Sequence, residues 1–299
     1  MAAIKASARI GWIGMGKMGL PICKRLQGAG FQVRALCRNL AAESIATANH
    51  FDVARSIAEV VNGADVIASA ITDDRALLDI TLADGGLKDC LSRGQIYFDT
   101  STVSPQASAR VAEALAPIGG AYLRAPVSGS TATAAQGALT AFVSGPAEAF
   151  GEMADIFAAF TKKAFLVGAG EEARYLKLSI NAMLGATSAL LAESLMLARK
   201  GGMSIQTIMD VVSESAVGSP LIQYKRATIT NGDYTAAFSA SQMLKDLDLV
   251  EQASATTYRD MPLIAGVQNA YRAAVARGLG DQDFFVLTSQ DAGQAADAK

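Results

Sequence analysis

Lys177 and Asn181 are four residues apart, a spacing that puts both side chains on one face of a helix. The lysine opens a run, LSINAMLGATSALLA, that carries no charge before Glu193. A cation at the mouth of so apolar a helix must either reach water along its alkyl stem or serve a polar partner. Burial depresses a lysine's pKa by disfavouring the charged form, the condition for a group that gives and takes protons near neutrality. A second cluster, Ser128-Gly129-Ser130, presents hydroxyls and unhindered amides able to cradle a carboxylate. The same three residues are also the composition of an ordinary turn.

A third group of residues points to phosphate. Gly14-Met15-Gly16-Lys17-Met18-Gly19 lies between a strand-like run, ARIGWI, and a helical segment, PICKRLQGAG, which leads into a second strand, FQVRAL. Strand, glycine turn, helix and strand within one short unit make a dinucleotide fingerprint of what is otherwise a weak pattern. Gly14 permits the tight turn, Gly16 lets the backbone approach a pyrophosphate, and Gly19 lets helix and strand pack closely. At the end of the second strand the chain reads Leu36-Cys37-Arg38-Asn39, with no acid before Glu43 to hold a ribose 2′-hydroxyl. Arg38 can pair with a 2′-phosphate and Asn39 can add a hydrogen bond, which favours NADP over NAD.

The elements that must position these groups follow from pattern. Strand-like runs recur at 64–70, 95–99, 121–124, 139–146 and 164–168, alternating with helical stretches that include one near 147–160. The hydroxyls of Thr100-Ser101-Thr102-Val103-Ser104-Pro105 can line a ligand and cap the next helix. Residues 1–170 are therefore read as a Rossmann-type α/β domain, the NADP-binding part. Residues 171–202 read as one long interdomain helix, and 203–299 as an all-helical domain with helices at 204–215, 219–231, 240–258 and 262–277. The tail from Gln290 is small and polar, as in chain ends that fray. The long helix is apolar or small on nearly every face, which predicts burial all round. Ser179, Asn181, Thr187 and Ser188 interrupt its uncharged run, which is too short for a membrane span.

Composition narrows the classes. With 51% hydrophobic and 18% charged residues and a net charge of −2, the chain reads as a soluble globular protein with no basic footprint for nucleic acid. Its three cysteines are widely spaced and no secretory signal pattern is present, so a cytoplasmic compartment is expected. The single histidine, His50, would have to carry any histidine-based zinc site or acid/base role; beside the strand start HFDVA it reads as structural, and no metal site is expected.

Taken in order, these motifs resemble the β-hydroxyacid dehydrogenase family, which includes 3-hydroxyisobutyrate dehydrogenases and semialdehyde reductases. GWIGMGKMGLPICKRLQGAGFQV resembles the family's cofactor fingerprint, FDTSTVSPQASAR its nicotinamide-side loop, YLRAPVSGS its substrate loop, KLSINAMLG its catalytic helix and MLKDLDL its lysine-aspartate cofactor segment. The resemblance implies Lys177 as acid/base and Asn181 as holder of the substrate. It implies Ser128, Gly129 and Ser130 at the substrate carboxylate, Ser101 and Lys245 beside the nicotinamide, and Asp246 orienting Lys245. It also implies packing of the long helix and the C-terminal helices across a homodimer or homotetramer. Arg124 stands where the family has aspartate, Ile180 replaces the first of two asparagines, and EEARYL lengthens the segment before the lysine, making Arg174 a rival for its place. Lys177 is preferred because Asn181 and Gly185 then fall in the family's register, and because arginine is too basic to exchange protons.

The function expected is NADP-dependent interconversion of a small β-hydroxy acid and its semialdehyde or keto form. Two alternatives share the architecture: reduction of a C=N bond, as in imine reductases, which usually lack the lysine, and a non-catalytic dinucleotide-binding or scaffold protein.

Overall fold

The structure, a computed structural model, describes residues 8–254 and 261–289. Contacts divide the chain into two compact units, Met1–Lys177 and Leu178–Lys299. The division falls inside a helix, seven residues beyond the expected boundary at 170, because the helix's first turns are tied to the sheet of the first unit.

In the first unit, parallel strands alternate with helices: β1 (Arg9–Ile13), α1 (Gly19–Gly28), β2 (Gln32–Leu36), α2 (Leu40–Ala48), β3 (Asp52–Ala54), α3 (Ile57–Val61), β4 (Val66–Ser69), α4 (Asp74–Leu82), α5 (Leu87–Cys90), β5 (Ile96–Asp99), α6 (Pro105–Leu115) and β6 (Ala121–Arg124). There follow β7 (Val127–Ser128), α7 (Thr131–Ala135), β8 (Leu139–Ser144), α8 (Ala147–Glu152), α9 (Ala154–Phe160) and β9 (Thr161–Gly168). The helix expected over 147–160 is thus two, broken at Met153.

The sheet order is β3-β2-β1-β4-β5-β6-β8-β7, with β9 on β8. Strands β1 to β6 are parallel, while β8 runs antiparallel to β6 and β7. The order in which strands are added switches at β1, from β2 and β3 on one side to β4 and β5 on the other, which opens the crevice at the strands' carboxyl ends where ligands of such sheets sit. Both faces are covered, so the central strands are largely apolar: Ile10, Trp12, Val66, Ala68 and Phe98 face one core, Ile13, Ile67 and Tyr97 the other.

Helix α10 (Glu172–Lys200) begins in the first unit and continues into the second. The second unit adds α11 (Ile205–Glu214), α12 (Pro220–Asn231), α13 (Ala240–Ser254) and α14 (Pro262–Ala274), closing with a short 3₁₀ turn at Phe284–Thr288. The expected extension of α13 to residue 258 and the tail from Gln290 lie outside the described residues. The last expected helix runs on past α14 as a π-turn to Leu279, where Gly278 takes φ +82°.

The expectation that α10 is buried all round is corrected. Leu178, Ala182, Leu191 and Leu195 enter the core of the second unit, but Leu176, Met183, Leu190 and Leu197 stand out of it, the last three 61%, 68% and 75% exposed. The four are seven residues apart, close to two helical turns, and so form one line. Uniform apolarity cannot say which side a single chain covers. By length and composition α10 alone among the described residues would suffice to cross a membrane, a test that core helices of soluble proteins also pass.

Candidate active site

The glycine loop follows β1 directly. Gly14 has φ +97°, and a Cβ there would sit 2.2 Å from the Ala70 carbonyl, so the turn needs glycine. A Cβ on Gly19 would fall 2.0 Å from the Gly14 carbonyl, so helix and loop meet at backbone distance. Gly16 differs: its Cβ would enter open space, with nothing within 4 Å. Gly14 and Gly19 thus serve the turn itself, whereas among the described residues no neighbour requires a glycine at 16. No side chain caps α1; within its first turn the Leu20 amide donates to the Gly16 carbonyl at 3.1 Å, the Ile22 amide to the Met18 carbonyl at 3.4 Å, and Pro21 has no N–H. Met15, Lys17 and Met18 complete this loop. The residues fit a dinucleotide pyrophosphate, and Arg38 stands exposed at the end of β2 on the same sheet edge. Asn39 caps α2, its Oδ1 accepting from the Ala42 amide at 2.9 Å, so only its side-chain NH₂ remains for a phosphate.

Ser101 is drawn inward. Its hydroxyl donates to Asp99 Oδ1 at 2.6 Å and accepts from the Ile71 amide at 2.8 Å, and its carbonyl accepts from Arg174 Nη1 at 2.7 Å. It therefore works as the tie between the loops after β4 and β5, and its hydroxyl is not turned out for a cofactor. Sequence reasoning missed the centre of this network. Arg174, buried completely, donates from Nη2 to Asp99 Oδ2 at 2.6 Å and to the Tyr122 hydroxyl at 2.9 Å, and from Nε to the Ser108 hydroxyl at 3.2 Å. Asp99, at the end of β5, brings the carboxylate to it, and Ser69 donates to that carboxylate at 2.5 Å. Burial pushes the Tyr97 and Tyr122 phenols up, most strongly at Tyr97, and the neighbouring Asp99 adds to the rise at both.

Two departures from the family pattern meet here. Arg124, at the end of β6, donates from Nε to Glu171 Oε1 at 2.8 Å and pairs with the same oxygen through Nη2. The cation at 124 is thus matched by an acid in the lengthened segment before the helix. Glu172 accepts from the Gly170 amide at 2.7 Å, and backbone amides, its own foremost, hold its carboxyl below the usual range at the start of α10. Ser144 completes the anchor, donating to the Gly170 carbonyl at 2.7 Å and accepting from the Ala173 amide.

Of the substrate-loop residues, Ser128 ends β7 and Gly129 has φ +141°. Ser130 is committed to a capping box: its amide donates to Thr133 Oγ1 at 2.7 Å and its Oγ accepts from the Thr133 amide at 3.3 Å. Its amide is therefore not open to a carboxylate as expected, while the Ser128 hydroxyl makes no hydrogen bond among the described residues.

On α10, Lys177 is 8% exposed, and Asn181, one turn on, is buried. In the second unit Asn181 Nδ2 donates to Asp246 Oδ2 at 2.5 Å, and Lys245 Nζ lies 2.9 Å from Asp246 Oδ1. The helices approach closely because Gly185 faces Met243, whose sulfur would lie 3.1 Å from a Cβ there. His50 sits in a left-handed turn with φ +58° and faces solvent, and among the described residues no group of metal-ligating side chains occurs.

Residues 9–168 match the model of the NAD binding domain of 6-phosphogluconate dehydrogenase, and residues 168–289 match that of the NAD-binding domain of NADP-dependent 3-hydroxyisobutyrate dehydrogenase. The chain belongs to the β-hydroxyacid dehydrogenase family. It is a nicotinamide-dinucleotide-binding oxidoreductase of that family, with a Rossmann-type sheet followed by helices. It is similar to glyoxylate/succinic semialdehyde reductase 1 of Arabidopsis thaliana, 29% identical over 92% of this chain and 95% of the relative. An NAD-dependent L-serine dehydrogenase of Pseudomonas aeruginosa is 28% identical over 93% of this chain and 96% of its own length. Among solved structures, 3-hydroxyisobutyrate dehydrogenase of Mycobacterium tuberculosis with L-serine superposes with a TM-score of 0.86 at 27% identity, covering 94% of this chain and 98% of that one.

Proposed function

We propose that this β-hydroxyacid dehydrogenase uses NADP(H) to interconvert a small β-hydroxy acid and its semialdehyde or keto form. The observation that carries this reading is Lys177, buried at the start of α10 one turn before Asn181, whose amide is held by Asp246. The nicotinamide supplies or accepts the hydride. Lys177 gives a proton to the carbonyl oxygen during reduction and takes it back during oxidation. Asn181 holds the substrate, and Ser128 and Gly129 bind its carboxylate, with the Ser130 hydroxyl able to add a donor.

Arg38, with the Asn39 side-chain NH₂, supports NADP over NAD, since no acid ends β2 to hold a free 2′-hydroxyl. The exposed row Leu176, Met183, Leu190 and Leu197 supports a homodimer or homotetramer. Cys23, Cys37 and Cys90 are unpaired thiols, which supports a reducing, cytoplasmic setting.

The test is a panel of short aldehyde acids, including succinic semialdehyde, glyoxylate and methylmalonate semialdehyde, assayed with NADPH and with NADH beside a cyclic imine. Turnover of an aldehyde acid with NADPH, lost in Lys177→Ala, is expected. Turnover of the imine alone, or full activity in Lys177→Ala, would reject the reading.

A further inference from the structure

The edge of the sheet beside Arg38 holds a second cation. Strands β2 and β3 are parallel with Leu36 opposite Ala54, and the Cys37 amide donates to the Ala54 carbonyl at 2.8 Å. The residue after Ala54 is Arg55, so it leaves the sheet beside the loop that carries Arg38 and Asn39. Its backbone is fixed there, the amide donating to Glu59 Oε2 at 2.8 Å. Its side chain is 69% exposed and reaches the first turn of α2, where Nη2 meets Glu43 Oε1 at 2.5 Å. Glu43 is the first acid after β2. It is engaged with Arg55, one turn beyond Asn39 on α2. The Cys37 thiol, next to Arg38, is raised by burial first and then by Glu43, and lowered by Arg55, which places all three groups in one neighbourhood.

We propose that Arg55 is a second ligand of the cofactor's 2′-phosphate, held beside the site by Glu43 when that phosphate is absent. This rests on the NADP reading above. An exposed arginine-carboxylate pair is weak enough to exchange for a dianionic phosphate, which offers stronger, charge-assisted hydrogen bonds to a guanidinium. With NAD the pair stays closed, and Glu43 neither gains nor loses a partner. The pair therefore separates the two dinucleotides through Arg55, in addition to the direct contact from Arg38.

NADP⁺ and NAD⁺ are titrated calorimetrically into the wild-type protein and the Arg38→Ala, Arg55→Ala, Arg55→Lys and Glu43→Gln variants, each checked by thermal melting. Arg55→Ala is expected to weaken NADP⁺ binding ~10-fold or more with NAD⁺ unchanged, the size of a lost hydrogen bond to a charged group. Arg55→Lys should recover part of that loss, and Glu43→Gln should tighten NADP⁺ alone. Unchanged NADP⁺ binding in Arg55→Ala, equal losses for both dinucleotides, or no effect of Glu43→Gln would overturn the proposal. If Arg38→Ala alone removes discrimination, the NADP reading survives and Arg55 has no part in it. If the wild-type protein binds the two dinucleotides equally, the NADP reading itself falls and this proposal with it.

Discussion

One buried carboxylate serves both Asn181 and Lys245: Asp246 accepts from the Asn181 amide at 2.5 Å and lies 2.9 Å from Lys245 Nζ. The residue proposed to hold the substrate and the one that the family resemblance places beside the nicotinamide therefore share one support. Asp246→Ala is expected to raise KM for substrate and dinucleotide together, each by about 10-fold for a lost charged hydrogen bond. Asp246→Asn keeps an acceptor for Asn181 and removes the charge beside Lys245, so only the dinucleotide KM should rise. Steady-state kinetics in both substrates checks this, and unchanged KM values in both variants would dismiss the shared support.

Lys177→Met should lower kcat by roughly 10²- to 10⁴-fold, the range of general acid-base catalysis, while dinucleotide affinity holds. Binding titration beside turnover separates the two effects. A parallel loss of affinity would show that the lysine serves the cofactor.

Arg174→Met is expected to act on stability first. It strands Asp99 as a buried carboxylate without its cation, at a cost of roughly 3–5 kcal/mol. Denaturant unfolding measures this, and a loss under 1 kcal/mol would mean that Ser69 and Ser101 alone suffice for Asp99.

The glycine loop offers a clean separation of structure from binding. Gly14→Ala forces a Cβ against the Ala70 carbonyl and should destabilise the fold, whereas Gly16→Ala meets nothing within 4 Å and should leave the melting temperature unchanged. Gly16→Ala should nonetheless weaken dinucleotide binding if the pyrophosphate lies against that backbone. Unaltered binding in Gly16→Ala would displace the pyrophosphate from this loop.

Alkali provides a further test. Burial raises the phenols of Tyr97, Tyr122 and Tyr271 above their ordinary value of 10.0. The folded chain keeps protons that the unfolded chain releases above that value, so the contribution of these phenols to stability is level below about pH 10 and falls as pH rises further. In Tyr271→Phe the alkaline decline should be shallower. The variant loses the 2.8 Å bond to the Phe284 carbonyl, but Ser188 still donates there, so the loss at neutral pH should be only about 1 kcal/mol. Unfolding followed by tyrosinate absorbance checks both; a steeper decline in the variant would contradict the assignment.

The strand-glycine-helix unit was legible because its signals are local: Gly14 and Gly19 answer to neighbours within a few residues or on the adjoining strand. The register of Lys177, Asn181 and Gly185 was legible for the same reason, being one helix face. What escaped was non-local. Arg174 reads as a rival for the lysine's place until Asp99, 75 residues earlier, is seen beneath it. Arg124 reads as an anomaly until Glu171, 47 residues on, is seen to match it. Ser101 belonged to a recognisable loop, but which way its hydroxyl turned depended on Ile71 and Asp99. The exposed line on α10 was hidden because apolar residues occupy every face of that helix.

The Arg174–Asp99 pair also decides where the chain can be cut. A fragment ending at Gly170, where strand alternation stops, would hold every strand described in the sheet and yet lose Arg174, the cation that pairs with its buried aspartate. Dissection of this protein into a separate nucleotide-binding piece must therefore carry the opening turns of the long helix with it, and any chimaera that splices a foreign helix there must import an arginine at the same level.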